Sequence, residues 1–307
     1  MQRIAFVGQG TYFEACSLED GVLPGVRTTF LEFRQGGDPE RLRRGLDAFA
    51  PDAIVVFRPE ILPEGLLRDR AGVHVLGFLT EPLPRKQGKV HVDLQRRLEQ
   101  LSAVDPANVD RVVAFDPLIA QSADAYLPVW RSTPLPVADR YYVDPRSIAP
   151  RITKPQALFV GRSTKHREKH LEPVKHSYDV LHLAHGVDAD ALAGYLGRHE
   201  VAINLHNEDY VSFENRVCLH LAAGHLVLTE RLEPLHGLEP GIDLVEIDTP
   251  ESLWEALGAL RRHPGMWHAQ RVRGRFKAES FRASRVWPRL LWDLAADVGA
   301  HARRTAA

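Results

Sequence analysis

The sequence predicts an α/β protein of two Rossmann-like domains, each a parallel sheet wound with helices. Short apolar runs of four to six residues alternate with segments whose apolar residues fall at helical spacing. Most runs are followed at once by glycine or polar residues, as expected where a strand ends at a sheet rim. A proline-dense stretch divides the alternation into two series. The chain has 307 residues, more than most single cores support, and this also favours two domains.

Residues 3–7 form the first predicted strand, with Gly8-Gln9-Gly10 directly after it. Residues 26–33 follow as a second strand. Residues 39–49 place Leu42, Leu46 and Phe49 on one helical face. Residues 52–57 are nearly all apolar, as suits a parallel strand covered on both sides. A short helix is predicted at 63–68 and a strand at 73–79, ending in Thr80-Glu81-Pro82. A helix at 92–101 and a strand at 111–115, ending in Asp116-Pro117, complete the first series. Between 128 and 155, prolines at 128, 134, 136, 145, 150 and 155 block ladders and helix interiors, so an extended connector is expected.

The second series opens with a strand at 157–160, then Gly161-Arg162-Ser163-Thr164-Lys165 and a helix. Strands at 178–183, 201–205, 226–229 and 243–247 follow, with helices at 188–196 and 250–260. The segment 281–298 reads as a long amphipathic helix; its stripe of Trp287, Leu290, Leu291, Leu294 and Val298 is packing. The expected domains are 1–137, a linker at 138–154, a second domain at 155–281, and a final helix at 282–307 packing back on the first.

Composition excludes several classes. The formal charge is −1, so no global field favours nucleic acid or an anionic membrane. No apolar run approaches the ~18 residues of a membrane span, which leaves only peripheral membrane contact open. The cysteines, Cys16 and Cys218, are far apart, so no disulfide framework is expected and a cytoplasmic location is inferred.

Ligands of open α/β sheets bind beyond the carboxyl ends of strands. That rule selects Gly8, Gln9, Gly10 and Thr11, then Thr80–Pro82 and Asp116 in the first half. In the second half it selects 161–165, His185-Gly186-Val187 and 206–216. Gly8-Gln9-Gly10 begins like a dinucleotide fingerprint, but the third glycine is missing. It reads better as a loop that lets a ligand reach backbone amides. In Gly161-Arg162-Ser163-Thr164-Lys165, glycine ends a strand, Ser163 or Thr164 can cap the helix, and Arg162 and Lys165 supply cations; together these favour a diphosphate. The stretch from His206 to Arg216 is a polar loop leading to a helix start, and Asn215 and Arg216 stand at that start. His166 and His170 lie four apart on a helix, as a zinc pair would. No third ligand is evident in the sequence, so a solvated charged helix is the expectation. His220, alone in an apolar helix, reads from its setting as a core residue.

The run Ser212-Phe213-Glu214-Asn215-Arg216-Val217 with Leu221-Ala222-Ala223-Gly224-His225-Leu226-Val227-Leu228-Thr229, Gly237-Leu238, Gly241 and Leu244-Val245 resembles the donor-binding domain of GT-B glycosyltransferases. It is most similar to the branch of spore-maturation-type, group 1-like proteins. Leu135-Pro136-Val137-Ala138-Asp139 with Tyr142 resembles that fold's interdomain linker. The resemblance implies two domains facing across a cleft, with a nucleotide-diphosphate sugar bound by the second and an acceptor bound by the first.

By the resemblance, Gly161 and Arg162 would approach the diphosphate, with Ser163 and Lys165 beside them. His185, Gly186 and Val187 would lie near the nucleobase, and Ser212, Asn215 and Arg216 near the sugar and phosphates; His206 joins the donor-side candidates from its place in the rim loop. Many retaining relatives carry two glutamates eight positions apart. Here Ser212 and His220 hold those positions, so a retaining outcome is not implied, and His220 joins the donor-side candidates by position.

Chemically, cations must neutralise a leaving diphosphate; Arg162, Lys165 and Arg216 would do this without a metal or resident cofactor. A general base near the acceptor hydroxyl would be Glu81, with Asp116 second. The acceptor would be a glycan, a small molecule or a protein. Competing readings are a nucleotide-sugar epimerase of the same fold, a catalytically silent sugar-nucleotide-binding or scaffold protein and, remotely, a dinucleotide-dependent oxidoreductase.

Overall fold

The structure, a computed structural model, describes residues 2–68, 70–85, 91–184 and 187–305. The chain divides into two compact units. The first takes the residues up to Asp139 and those from Ala283 onward; the second is Arg140–Arg282.

The first unit runs β1 (Gln2–Gly8), α1 (Gly10–Phe13), β2 (Val26–Glu32), α2 (Pro39–Phe49), β3 (Ala53–Phe57), β4 (His74–Leu79), α3 (Val92–Ser102), β5 (Arg111–Ala114), α4 (Ala120–Ala123) and β6 (Val129–Ser132). Its six strands lie in the order β2-β1-β3-β4-β5-β6, and all neighbours pair in parallel. Local sequence explains each boundary. Asp38 caps α2 by accepting from the amides of Glu40 and Arg41, Pro39 opens the helix, and Ala50 ends it in a left-handed turn at φ 48°. Every residue of β3 is buried, which is why the sequence is apolar there without alternation.

The second unit runs β7 (Ala157–Val160), α5 (Lys165–Lys175), β8 (Val180–Leu183), α6 (Ala189–Arg198), β9 (Val201–Asn204), α7 (Arg216–Ala222), β10 (Leu226–Thr229), β11 (Val245–Glu246), α8 (Pro250–Arg262) and α9 (His268–Lys277). Its order is β11-β10-β9-β7-β8, again parallel. The two sheets therefore share one winding. Each starts at an inner strand, lays its second strand on one side, and then reverses direction. The reversal falls between β1 and β3 in the first sheet and between β7 and β9 in the second. At such a point the helices leave to opposite faces, and the carboxyl edge opens into a crevice.

The last helix, α10 (Ala283–Thr305), groups with the first unit. Trp287 is fully buried there, edge-on to Phe6, Phe57 and Phe78 at 5.3, 6.0 and 6.0 Å between ring centroids. Its indole Nε1 donates to the Cys16 carbonyl at 2.8 Å. Arg111 bonds Asp297 at 2.6 Å, and Arg131 pairs with Asp293.

Three expectations differ from what is found. Residues 63–68 form a succession of turns and no helix. Two amides in this stretch are taken by side chains just before β5: Gly65 donates to Asp105 and Leu67 to Asn108. Residues 129–132 add an edge strand inside the proline-rich stretch, beside β5; prolines on either side of a strand do not prevent its pairing at a sheet edge. The helix α9 was hidden because its buried face carries Arg271 and Arg275 in place of apolar residues. Those guanidiniums bond main-chain carbonyls: Arg271 donates to Gly224 and Ala149, and Arg275 to Val143. Residues 140–156 are held within the second unit. Tyr142 donates to the Ala278 carbonyl at 2.8 Å and lies under the Arg282 guanidinium, 3.8 Å from its ring centroid.

Removing the Trp287 ring would leave a void among three phenylalanines and orphan the Cys16 carbonyl. Trp287→Ala is expected to cost ~3–5 kcal/mol, read as a lowered urea midpoint by tryptophan fluorescence and circular dichroism. A loss below about 1 kcal/mol would show that α10 is peripheral to the first unit's stability.

Candidate functional site

The winding of the second sheet selects the loops after β7 and β9, and the structure brings chemistry to both. β7 is followed by Gly161, whose φ of +156° lies where glycine is favoured. A Cβ there would come within 2.6 Å of Arg216 Nη1 and 3.2 Å of Arg167 Nη1. The glycine is therefore what lets two guanidiniums stand against the strand end. Arg216 Nη1 donates to the Val160 carbonyl at 2.7 Å, and Nη2 donates to Glu214 at 2.5 Å. Burial raises the Glu214 carboxyl, but Arg216 and then Arg167 outweigh it and hold the group below its ordinary value.

Arg167, buried in the first turn of α5, donates to the carbonyls of Leu205, His206 and Arg162. One guanidinium thus pins the ends of β7 and β9 across the reversal point. Burial first, and then the charge of Arg216, push it down to about 9 against the attraction of Glu214. Asn207 completes the floor. Its Oδ1 accepts from Arg162 Nε at 2.9 Å and from Arg167 Nη1 at 3.3 Å. Its Nδ2 is a buried donor without a partner among the described residues, a costly arrangement unless something accepts from it. Arginines and an unused amide donor at a sheet's reversal point have the chemistry that binding an anion requires.

The predicted capping role falls to Thr164, whose hydroxyl accepts from the Arg167 amide at 3.2 Å. Ser163 instead donates to Glu168 at 2.6 Å. Arg162 and Lys165 are exposed beside Gly161. His182 Nε2 donates to the Gly161 carbonyl at 2.7 Å and steadies the turn from below. Asn215 precedes α7 but makes no side-chain cap, and α7 is only seven residues long. The donors suited to an anion are therefore side chains around Gly161, where the sequence suggested the amides of α7. Val187 is half-buried just ahead of the Asp188 cap of α6; His185 and Gly186 lie outside the described residues.

Three donor-side candidates are corrected. His206 and Ser212 are buried: the Ser212 hydroxyl donates to His206 Nδ1 at 3.1 Å, and His206 Nε2 donates to the Arg231 carbonyl at 2.7 Å. Their polar atoms thus tie the polar loop to residues 231–232 and do not line the rim. His220 is wholly interior, 3.1 Å from His225 between Nδ1 atoms, and His225 Nε2 donates to the Leu196 carbonyl. The setting of His220 in an apolar helix indicated this, and its position in the family motif did not.

In the first unit, Gly8 is buried, and a Cβ on it would sit 3.1 Å from Phe57 and 3.2 Å from Phe13. The Gly10 amide donates to Glu32 at 2.6 Å. The glycines of this loop thus serve packing and a side-chain carboxylate, which corrects the expectation of amides open to a ligand. Gln9 precedes α1, and Thr11 is exposed. Glu81 is partly exposed, 3.0 Å from Arg97 Nε and 4.0 Å from Arg58 Nη1. Asp116 is buried; it accepts from the Leu118 amide at 2.8 Å and pairs with Arg85 at 2.9 Å. That makes it a turn cap and ion-pair member.

Sequence reading missed Arg58 and Glu60. Arg58 follows β3 in a left-handed turn at φ 66° and bonds Glu60 at 2.9 Å. Burial raises the Glu60 carboxyl despite Arg58. A non-glycine residue held left-handed at a sheet's reversal point is the local strain that marks functional loops, but the sequence carries no sign of it. A cavity of about 640 Å³ lined by Leu46, Asp47, Pro51, Leu66 and Arg70 lies at the opposite, amino edge of this sheet, away from these groups.

No family model and no curated protein matches the chain. Solved structures do. Anabaena HepE, determined with UDP and glucose, is 10% identical with a TM-score of 0.56, over 96% of this chain and all of that one. AviGT4, a glycosyltransferase involved in avilamycin A biosynthesis, is 12% identical with a TM-score of 0.56, over 97% of this chain and 98% of that one. A glycosyltransferase from Rickettsia africae is 11% identical with a TM-score of 0.53, over 95% and 97%. At such identities the likeness concerns the fold, which is that of the GT-B glycosyltransferases.

The interior histidines are expected to make the second unit acid-sensitive. Burial, then the neighbouring His225, pushes His220 well below its ordinary value, and burial pushes His225 down to about 4. Unfolded, both take up protons near pH 6.5. Their contribution is therefore intact above that pH and is lost as pH falls toward 4. The melting temperature should drop more steeply from pH 7 to pH 5 in the native protein than in His225→Gln; equal slopes would remove the pair as the cause.

Proposed function

We propose that the chain is a glycosyltransferase that moves a sugar from a nucleoside-diphosphate sugar to an acceptor hydroxyl, belonging to the spore-maturation-type branch of its fold. The observation that carries this reading is Gly161, whose missing Cβ admits Arg216 and Arg167 at the reversal point of the second sheet, beside the unpartnered Asn207 amide. A diphosphate would accept from Arg216, Arg162, Lys165 and Asn207 Nδ2. The solved relative with UDP and glucose lends support, since its fold is the same.

In the proposed reaction the acceptor oxygen bonds the sugar's anomeric carbon as the bond to the diphosphate breaks. Charge growing on the leaving oxygens is met by guanidiniums already in place, which is the arrangement that lowers such a barrier most. These cations take the place of a metal at the diphosphate. The acceptor, a glycan, small molecule or protein, would be bound by the first unit, and its proton would pass to Glu81. Glu81 lies between Arg97 and Arg58, at 3.0 and 4.0 Å. Cys16 and Cys218 form no disulfide, which suits a reducing cytoplasm. Among the described residues no helix is long and apolar enough to cross a membrane.

Two measurements test this. UDP, GDP, dTDP and ADP are each titrated calorimetrically without added metal, and at least one should bind. Arg216→Ala should weaken that nucleotide by ~10–100-fold, the worth of a charged hydrogen bond. Unchanged affinity, or binding of NAD alone, would end the donor assignment. With the donor and acceptor found, Glu81→Gln should leave donor affinity unchanged and slow transfer by ~100-fold or more. Donor binding without transfer to any hydroxyl in the native protein would favour the silent binding-protein reading, to which the burial of Ser212 and His220 also points.

A further inference from the structure

We propose that His166, His170 and Glu230 form a binding site for a divalent ion of the zinc class. The histidines occupy consecutive turns of α5 with ring centroids 4.9 Å apart. Glu230, directly after β10, brings the third ligand that the helix alone lacks. One donor atom from each residue lies within 4.8 Å of the others.

The surrounding bonds fix which atoms of His170 and Glu230 face one another. His170 Nδ1 donates to the His166 carbonyl at 3.1 Å, so the neutral ring keeps its lone pair on Nε2. That nitrogen faces Glu230 Oε1 at 3.9 Å, beyond hydrogen-bond distance. Glu230 Oε2 accepts from the His206 amide at 2.5 Å, which fixes the carboxylate and turns Oε1 toward the histidines. Main-chain partners that set a ligand's tautomer and direction are the usual outer layer of a metal site. A His166–Glu230 ion pair at 2.7 Å accounts for two of the residues, but not for the bare Nε2 of His170 aimed at the same oxygen.

Two imidazoles and a carboxylate suit zinc and its neighbours. They do not suit magnesium, which demands oxygen. His170 and Glu230 are buried, whereas His166 is half-buried, so a fourth ligand from solvent would enter on its side. The ion would clamp α5 to the end of β10. Its presence or absence is independent of the glycosyltransferase reading.

The test uses the full chain without an affinity tag, stripped by chelator. Zinc chloride should titrate calorimetrically to one tight equivalent, magnesium chloride should give no binding, and cobalt(II) should develop the strong visible absorption of a four-coordinate nitrogen–oxygen site. His170→Ala should weaken zinc by about 100-fold. His166→Gln, on the more exposed side, should do the same if the alanine variant fails to fold. No tight equivalent in the native protein would overturn the proposal. So would zinc affinity retained in the folded variants, which would put the ion on other histidines.

Discussion

The buried guanidinium of Arg167 holds the second unit's rim in shape. It reaches from the first turn of α5 to carbonyls at the ends of β7 and β9, the two strands between which the sheet reverses. A charge in that setting is expensive to desolvate, and the cost is offset only because nearly every donor has an acceptor. The carbonyls gain as much as the arginine, since strand ends at a rim lack the next ladder partner. Gly161 then becomes obligatory: no side chain fits between the strand end and the two guanidiniums. Removing Arg167 would free three carbonyls and both loops at once.

Much of the fold is legible in the sequence because parallel sheets write themselves plainly. The run Ala53-Ile54-Val55-Val56-Phe57 has no alternative to burial on both faces, and Asp38-Pro39 announces a helix by capping chemistry alone. Legibility fails where side chains trade roles. α9 buries Arg271 and Arg275, so its inward face looks polar. Residues 63–68 have helical spacing, but Asp105 and Asn108, some forty positions later, claim their amides. Such long-range capture leaves no local trace.

The candidate site was half legible. Gly161, Arg162 and Arg216 could be picked out because a glycine after an apolar run, followed by cations, has few other uses. Arg167 could not, since one arginine in Lys165-His166-Arg167-Glu168-Lys169 looks like its solvated neighbours until the fold shows which face is inward. The same helix hid the convergence of His166 and His170 with Glu230, contributed from sixty-odd residues away. Conversely, Ser212, His206 and Asp116 looked exposed by being polar near strand ends. Each is buried because it secures a loop from beneath.

Trp287 has a consequence for biosynthesis. The aromatic centre of the first sheet is completed by a residue 271 positions beyond the carbonyl it bonds. The amino-terminal half therefore emerges from the ribosome well before its keystone. The second unit, contiguous in the chain at Arg140–Arg282, is complete before α10 is made. Until α10 has been made, Phe6, Phe57 and Phe78 lack the indole that packs edge-on to them. During that interval the nascent polypeptide is a natural client for chaperones that shield apolar surface.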